Sequence, residues 1–309
     1  MAKAIREIYG ETLAKLGDSM ENLVVLDADV AGSTKSGLFG AAHPERFFDM
    51  GIAESNMAAT AAGLATTGYV PFINTFAVFI TSASLLALRG QICYGNLNVK
   101  LGGAYAGMSD ARDGATHHAL EDIAILRSLP NMKILSVCDA AETRWATEYA
   151  AKCDGPCYIR LSRDVMPDLY PEGHTFTFGR AETVREGTDA TVIATGLMVH
   201  NALEAAGTLA EEGISVQVLD MHTIKPIDAS AVLRAADMGP VITAEEHNVI
   251  GGLGSAVAEI MAGAACSHSL IRVGLQDTFS ETGDYASLQQ KYGIDPASIA
   301  DAVKRSLKK

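Results

Sequence analysis

The sequence predicts an α/β fold in which a parallel sheet is covered by helices on both faces and a second, smaller α/β domain follows. Segments of strand character alternate with segments of helical periodicity along the first half of the chain. Most predicted strands are continuous apolar runs, such as "NLVVLDAD" and "VPFINTF", which is typical of strands buried on both faces. The alternation stops in a polar segment with two prolines and then restarts.

This polar segment sets the expected domain boundaries. Residues 1–164 are predicted to form the first domain, 165–187 a linker or short hairpin excursion, and 188–309 the second domain. Within the first domain we expect a helix of small residues from Glu54 to about Thr67, and one long helix over about 78–94.

Composition and charge exclude several classes of function. The 309 residues are 48% hydrophobic and 20% charged, as in folded globular proteins. A net charge of -13 argues against a nucleic-acid partner, which would require a basic surface, although a local cluster of arginines could still bind a phosphorylated small molecule. No apolar run approaches the roughly 20 residues of a membrane span, and the chain opens on an amphipathic pattern rather than a secretory signal.

The cysteines indicate a reducing compartment. There are five, an odd number scattered through a large chain, so we expect free thiols and a cytoplasmic location. Cys153 and Cys157 are close together in "CDGPC", but no second pair of ligands lies near them in the sequence. We therefore interpret them as buried thiols rather than as a metal site.

Three loops that follow predicted strands contain polar residues that folding alone does not explain. In open α/β sheets, ligands bind beyond the carboxyl ends of the strands, where all three loops would lie. Each loop alone could be a solvated turn, but their coincidence favours a shared site. The residues are Asp29 and Ser33 in the first loop, Glu54 in the second, and Asp110, Arg112, Asp113, Thr116, His117 and His118 in the third.

Four motifs in a fixed order resemble one enzyme family. The segments "GIAESNM", "INTFAVF", "RDGATHH" and "LSRD" resemble the thiamine-diphosphate-dependent transketolases, specifically their C-terminal half. The resemblance covers essentially the whole chain. It implies a pyrimidine-binding domain up to about residue 164 and the smaller transketolase C-terminal domain after it.

The resemblance implies a cofactor-binding and catalytic role for Glu54. The matching glutamate hydrogen-bonds the ring nitrogen N1′ of the cofactor's aminopyrimidine and favours the tautomer that acts as a base. A buried setting would strengthen this hydrogen bond, and we expect Glu54 to be buried. Phe76 and Phe79 match the aromatic wall around the pyrimidine ring, while Ser82 stands where the family has a further tyrosine. Without the resemblance, Glu54 could be an acid at a helix start and the two phenylalanines plain core.

The resemblance also assigns residues to the donor sugar. His117 and Asp113 match a histidine and an aspartate that contact hydroxyls near the reacting carbons, where an imidazole can move a proton and a carboxylate can orient a hydroxyl. We expect His117 to be catalytic as well as substrate-binding. Either residue could otherwise be an ordinary loop residue, and His118, which has no match, is interpreted as structural.

A separate set of residues matches the family's site for the sugar phosphate. Arg163 and Ser33 match an arginine and the serine of that site, and Arg6 stands at the spacing of its second arginine. Guanidinium groups suit phosphate because they offer paired donors. Tyr105 replaces the family's histidine and brings no charge, which leaves the identity of the sugar open. Asp29 completes the predicted substrate-binding set, although Arg6 could simply lie on a solvated helix face.

One part of the family's site has no counterpart in the sequence. The pyrophosphate and metal site is built in the family from a Gly-Asp-Gly stretch and a later asparagine, and we expect no metal ligand in this chain. The resemblance therefore implies a partner, an N-terminal transketolase subunit that holds the pyrophosphate and Mg²⁺ or another divalent cation. A heterotetramer of two copies of each chain is expected, with the isolated chain an inactive homodimer.

The leading functional hypothesis is the C-terminal subunit of a split transketolase in carbohydrate metabolism of the pentose phosphate type. It would transfer a two-carbon ketol unit from a ketose phosphate to an aldose phosphate. The alternatives are the β subunit of a 2-oxo-acid dehydrogenase, half of a 1-deoxyxylulose-phosphate synthase, and a catalytically silent scaffold or regulatory subunit.

Overall fold

The computed structural model of the chain describes residues 4–308. The strands among them are β1 (Leu23–Asp27), β2 (Phe47–Asp49), β3 (Val70–Phe76), β4 (Lys100–Ala104), β5 (Lys133–Ser136), β6 (Cys157–Arg160), β7 (Glu182–Arg185), β8 (Ala190–Ala194), β9 (Val216–Asp220), β10 (Thr223–Lys225), β11 (Val241–Asn248) and β12 (Leu270–Leu275). The helices are α1 (Ile5–Gly17), α2 (Ala31–Thr34), α3 (Gly37–Ala42), α4 (Glu54–Thr66), α5 (Ala77–Ser82), α6 (Leu85–Ala87), α7 (Asp122–Arg127), α8 (Ala140–Lys152), α9 (Met198–Glu211), α10 (Ala229–Met238), α11 (Leu253–Gly263), α12 (Tyr285–Lys291) and α13 (Pro296–Leu307).

The described strands form two mostly parallel sheets, which confirms the α/β fold. The first has seven strands in the order β10-β5-β6-β4-β3-β1-β2, and the second has five in the order β12-β11-β8-β9-β7. Strands β1, β3, β4, β5 and β8 carry almost only buried residues, as expected for parallel strands with helices on both faces. The carboxyl ends of β1, β3, β4 and β6 lie side by side at one edge of the first sheet.

Each sheet ends on a short antiparallel strand that the sequence analysis did not anticipate. β7 lies within the segment expected to be a linker and pairs with β9. β10 follows β9 in the chain but pairs with β5 of the first sheet, with Thr223 opposite Leu135. A strand from the second half of the chain therefore extends the sheet of the first half. The division at residues 164 and 188 stays a prediction.

The long helix expected over 78–94 is interrupted. Helix α5 ends at Ser82, and the short α6 is followed by a π-helical segment, Leu88–Cys93. The hydroxyl of Thr81 donates a 2.7 Å hydrogen bond to the carbonyl oxygen of Ala77. Serine and threonine hydroxyls that bond to nearby backbone groups compete with regular helical structure, which accounts for the break in "TSAS".

Helices elsewhere begin at side chains that cap them. Asp139 precedes α8 and accepts a 2.8 Å hydrogen bond from the backbone N–H of Glu142. Asp228 caps α10 in the same way through the N–H of Ala231, at 2.9 Å. Such caps satisfy backbone donors that the first turn of a helix leaves free.

One apolar core connects the two halves of the chain. Ile73 of β3 and Ile134 of β5 belong to the same buried cluster as Val232 of α10 and Leu253 of α11. No helix among residues 4–308 is long and apolar enough to cross a bilayer.

Candidate active site

Polar and aromatic residues meet at the carboxyl edge of the first sheet. β3 ends at Phe76, β4 is followed by Tyr105, and β6 is followed by Arg163. Arg6, in the first turn of α1, reaches the same place, and so does the loop after β1 that carries Ser33. The sheet order thus gathers residues that are far apart in sequence.

Tyr105 is at the centre of this group. It is buried, and its φ of 59° is left-handed, which is rare and strained for a bulky residue. Its hydroxyl accepts a 2.5 Å hydrogen bond from Nη1 of Arg6, and the same nitrogen donates to the carbonyl oxygen of Ser33 at 3.0 Å. The guanidinium carbons of Arg6 and Arg163 lie 5.3 and 5.2 Å from the centre of its ring, within cation–π range. Both guanidinium groups therefore lie near the same uncharged ring.

Arg163 is positioned by a carboxylate. Its Nη1 lies 2.6 Å from Oδ1 of Asp110, and its side chain is 37% exposed while Asp110 is fully buried. Burial, together with the neighbouring carboxyl of Asp113, raises the pKa of Asp110 to about 6, although Arg163 and His117 oppose the shift. Near neutral pH the Asp110 carboxylate is thus charged and binds Nη1 of Arg163. The other N–H groups of this guanidinium remain available for a ligand.

Aromatic rings form a wall beside these charges. Phe76 and Phe79 stack with centroids 5.9 Å apart, and Phe76 lies 4.4 Å from the ring of Tyr105. The imidazole of His117 packs edge-on against both phenylalanines, at 5.9 and 5.3 Å. His117 is therefore close to the ring surface and partly exposed, where it can reach a bound molecule.

Glu54 is the first residue of α4, which follows β2 after the short loop of residues 50–53. The neighbouring Ser55 donates a 2.6 Å hydrogen bond to the carbonyl oxygen of Ala83, which places the start of α4 beside the end of α5, the helix that carries Phe79. The expectation that Glu54 is buried is wrong for the single chain, because the residue is partly exposed, as are its neighbours. Within residues 4–308, no basic side chain forms an ion pair with it.

The loop of residues 106–119 is anchored to the second half of the chain. The Glu246 carboxylate accepts a 2.9 Å hydrogen bond from the N–H of Met108. A side chain at Gly107, where φ is 65°, would place its Cβ 2.3 Å from Glu246, so this approach requires glycine. His118 is buried, donates from Nε2 to the carbonyl oxygen of Asp110 at 2.9 Å, and accepts a hydrogen bond from Ser280 at Nδ1. These contacts support a structural role for His118.

The predicted residues divide into two groups. Arg6, Ser33 and Arg163 meet around Tyr105, and Phe76, Phe79 and His117 lie against it. Asp29 is exposed, and no described hydrogen bond or ion pair links it to this group. Asp113 is also exposed and contacts the carboxyl of Asp110.

Two residues that position the site have no role predicted from the sequence. Asp110 holds Arg163, and Glu246 holds the loop after β4. Asp110 stands in "SDARD", one of the loops singled out from the sequence, but nothing in the sequence pairs it with Arg163. Glu246 continues the apolar start of β11, a strand that is buried along almost its whole length, and a carboxylate there could have been noticed because burial of an unpaired charge is costly.

A cluster of side chains that could bind a metal ion lies away from the candidate active site. In the part of the chain that the structure describes, the one cluster of this kind is Cys138, Glu142 and Asp220, all buried. It lies where α8 meets the second sheet, and Tyr170 donates a 2.7 Å hydrogen bond to Oδ2 of Asp220. Burial raises the pKa of Glu142 well above its usual range and that of Asp220 to about 7. Burial thus favours the protonated forms of both acids, which lie between the two halves of the chain.

The fold and the site define a two-domain α/β protein that gathers arginines and an aromatic wall at a sheet edge, and its family is clear from comparison. Residues 1–168 match the model of the transketolase pyrimidine-binding domain, and residues 179–299 match that of the transketolase C-terminal domain. The chain belongs to the transketolase family and corresponds to the C-terminal part of a split enzyme of that family.

Similar proteins include a transketolase C-terminal section and a transketolase subunit. The chain is 42% identical to the putative transketolase C-terminal section of Methanocaldococcus jannaschii, over 99% of this chain and 97% of that protein. It is 40% identical to the 6-deoxy-6-sulfo-D-fructose transketolase subunit SqwH of a Clostridium species, over 96% and 92%. A solved structure described as a split gene transketolase, inactive beta4 tetramer, matches with a TM-score of 0.90 and 43% identity, covering 100% of this chain and 99% of that one.

Members of this family use thiamine diphosphate, and the residues of the site fit its aminopyrimidine end. Phe76 and Phe79 offer stacked apolar rings, and the carboxyl group of Glu54 lies at a helix start without a basic partner among the described residues. The aromatic side chains can pack against the aminopyrimidine ring, and a carboxyl group without a basic partner can form a hydrogen bond with one of its nitrogens.

Proposed function

We propose that this chain is the C-terminal subunit of a split transketolase that transfers a two-carbon ketol unit from a ketose phosphate to an aldose phosphate. The observation that carries the proposal is the pair of guanidinium groups, Arg6 and Arg163, that both lie against the ring of Tyr105 beside the aromatic wall. Paired guanidinium groups suit a terminal phosphate. The neighbouring His117 can move a proton at the donor's hydroxyl groups.

The predicted site residues have separate tasks in the proposed reaction. Glu54 would hold a proton at a ring nitrogen of the cofactor, and Phe76 and Phe79 would supply the apolar wall for that ring. The bound cofactor supplies the carbanion chemistry that transfers the two-carbon unit. Arg6 and Arg163, with the loop of Ser33, bind the anionic end of the donor.

The cofactor's pyrophosphate and its Mg²⁺ ion are proposed to be bound by a separate N-terminal subunit. A heterotetramer with two copies of each chain would place the two parts of the site together. The partly exposed Glu54 and the solvent-exposed Ile52 beside it, 82% accessible, support a surface that another subunit covers. The five cysteines are unpaired, which supports action in the cytoplasm in reactions of the pentose phosphate type.

A sulfonated ketose is the second candidate donor. One relative is named for 6-deoxy-6-sulfo-D-fructose, and a sulfonate, like a phosphate, offers oxygens that guanidinium groups can bind. Tyr105 adds no charge to the site, so a singly charged sulfonate would be at a smaller disadvantage against a doubly charged phosphate here than in a site with a cationic residue at this position.

Reconstitution with the product of a neighbouring transketolase-like gene tests these candidates. The purified chains, thiamine diphosphate and magnesium are mixed, and product formation is followed with a ketose phosphate, a sulfonated ketose and a 2-oxo acid. Ketose-phosphate turnover supports the proposal, and faster turnover of the sulfonate supports the second candidate. Decarboxylation of the 2-oxo acid alone, or a stable complex without turnover of any donor, would refute both.

A further inference from the structure

A second reactive group lies at the opposite edge of the first sheet from the candidate active site. Cys153 follows the last residue of α8, Cys157 opens β6 and Lys100 opens β4. Lys100 and Cys157 are paired in register across the two strands. The amino ends of the parallel strands thus bring two thiols and one amine together.

Lys100 is fully buried, which is rare for a lysine without a charged partner. Its Nζ donates to Oδ1 of Asn98 at 2.5 Å and to the carbonyl oxygens of Cys153 and Gly155 at 2.6 and 2.7 Å. It also lies 3.7 Å from Sγ of Cys153. No described carboxylate forms an ion pair with it, so a thiolate on Cys153 is the nearest available countercharge.

The two thiols differ in pKa and in exposure to solvent. The Cys157 thiol faces the sulfur of Cys153, and this contact, with the charges of Lys100 and Lys133, lowers the pKa of Cys153 to about 6. The same contact and burial raise the pKa of Cys157 well above its usual range. Cys153 is partly exposed, whereas Cys157 is completely buried, so the expectation of two buried thiols is wrong for Cys153.

We propose that Cys153 is a modification site: a lysine-activated thiolate that reacts with small-molecule disulfides and is then resolved by Cys157 into an intramolecular disulfide. The attacking group is accessible and charged, and the resolving group is adjacent and protected, as this chemistry requires. The lysine that activates the thiolate is fixed by its three oxygen acceptors, so the site exists before any oxidant arrives.

The reaction balances with a disulfide as the oxidant. The Cys153 thiolate attacks one sulfur of the disulfide, forms a mixed disulfide and releases one thiolate, which takes up a proton. Cys157 then loses its proton and attacks Sγ of Cys153, and the second small-molecule thiolate leaves and is protonated. Two protein thiols are oxidised to one disulfide, and the small-molecule disulfide is reduced to two thiols.

Alkylation of the intact chain tests the activated thiolate. Iodoacetamide labelling at each cysteine is followed by peptide mass spectrometry from pH 5 to 9, with the partly exposed Cys266 as the internal comparison. At pH 7 Cys153 should react roughly tenfold faster than Cys266, because a larger fraction of it is thiolate. The rate at Cys153 should reach half its maximum near pH 6. Equal or slower labelling of Cys153 would overturn the proposal.

Incubation with glutathione disulfide tests the resolving step. Trypsin releases residues 153–160 as one peptide that contains both cysteines, and in the treated wild-type chain it should be lighter by two hydrogen atoms. In Cys157→Ser the same peptide should instead retain one glutathione, and in Cys266→Ser it should behave as in wild type. A fully reduced peptide in wild type, with glutathione on Cys266, would contradict the proposal without requiring any variant to fold.

Discussion

The guanidinium group of Arg6 donates a 2.5 Å hydrogen bond to the hydroxyl of Tyr105, a residue 99 positions further along the chain. This bond joins the first helix to the loop after β4 and sets one side of the anion site. Arg163 lies near the same ring from the end of β6. The position of Arg6 thus depends on a tyrosine whose backbone is held in a left-handed conformation, while Asp110 holds Arg163.

Replacing Tyr105 with phenylalanine should weaken donor binding. The ring would keep its packing on Phe76, but Arg6 would lose an acceptor, and a hydrogen bond to a charged group contributes about 1.5 kcal/mol or more. We expect KM for the anionic donor to rise roughly tenfold, with a smaller change in kcat. Steady-state kinetics of the reconstituted complex measure this. Tyr94→Phe, at an exposed tyrosine, is the matched control, and an unchanged KM in Tyr105→Phe would show that the hydroxyl does not position Arg6.

Anion binding should tighten as the pH falls through about 6. Asp110, whose pKa is raised to about 6, becomes neutral over this range and loosens its hold on Arg163, which can then turn to the anion. Sulfate is a suitable probe because its charge is constant at these pH values. The inhibition constant of sulfate against the donor should fall several-fold between pH 7.5 and 5.5. This range of roughly two pH units includes the pKa of Asp110. In Asp110→Asn most of this dependence should be absent, and an equal pH dependence in the variant would assign the effect to another group.

The free energy of unfolding should fall as the pH rises from about 4 to about 7. Asp220 and Glu246 are fully buried, and each has a pKa raised to about 7, above the unfolded value. Their protonated forms therefore stabilise the fold. This contribution is complete below the unfolded pKa and is lost as pH rises through about 7, at about 1.4 kcal/mol per pH unit for each proton.

Thermal unfolding from pH 5 to 8 measures this loss, which should be largely complete by about pH 7. Asp220→Asn should show a smaller decrease in Tm than wild type, because the amide cannot lose the proton. Asp237→Asn, at an exposed position of α10, should follow the wild-type curve. A Tm that is constant in wild type over this range would contradict the assignment.

The strands were predictable because buried parallel strands are apolar along their whole length. β7 and β10 were missed because "ETVR" and "TIK" are short and carry charges, and their pairing with β9 and β5 is set by tertiary contacts. The prediction of one long helix over 78–94 was wrong in the segment "TSAS", where serine and threonine hydroxyls compete with backbone hydrogen bonds.

The candidate site was predictable in its residue types but not in its internal contacts. Arg6, Ser33 and Arg163 were predicted from the resemblance to the transketolase family. That Tyr105 and Asp110 position the arginines could not be read from sequence, because these contacts join segments 99 and 53 residues apart. The exposure of Glu54 was misjudged because the apolar residues around it, such as Ile52, lie on the surface of the single chain.

Glu54→Gln in the reconstituted complex tests the central claim most directly, since the amide cannot share an acid proton with the cofactor ring. Turnover of the donor should fall by roughly a hundredfold or more, while Tm stays that of wild type and thiamine diphosphate, followed by calorimetry, still binds. Glu21→Gln, at an exposed glutamate, should retain full activity. Full turnover in Glu54→Gln would contradict the account.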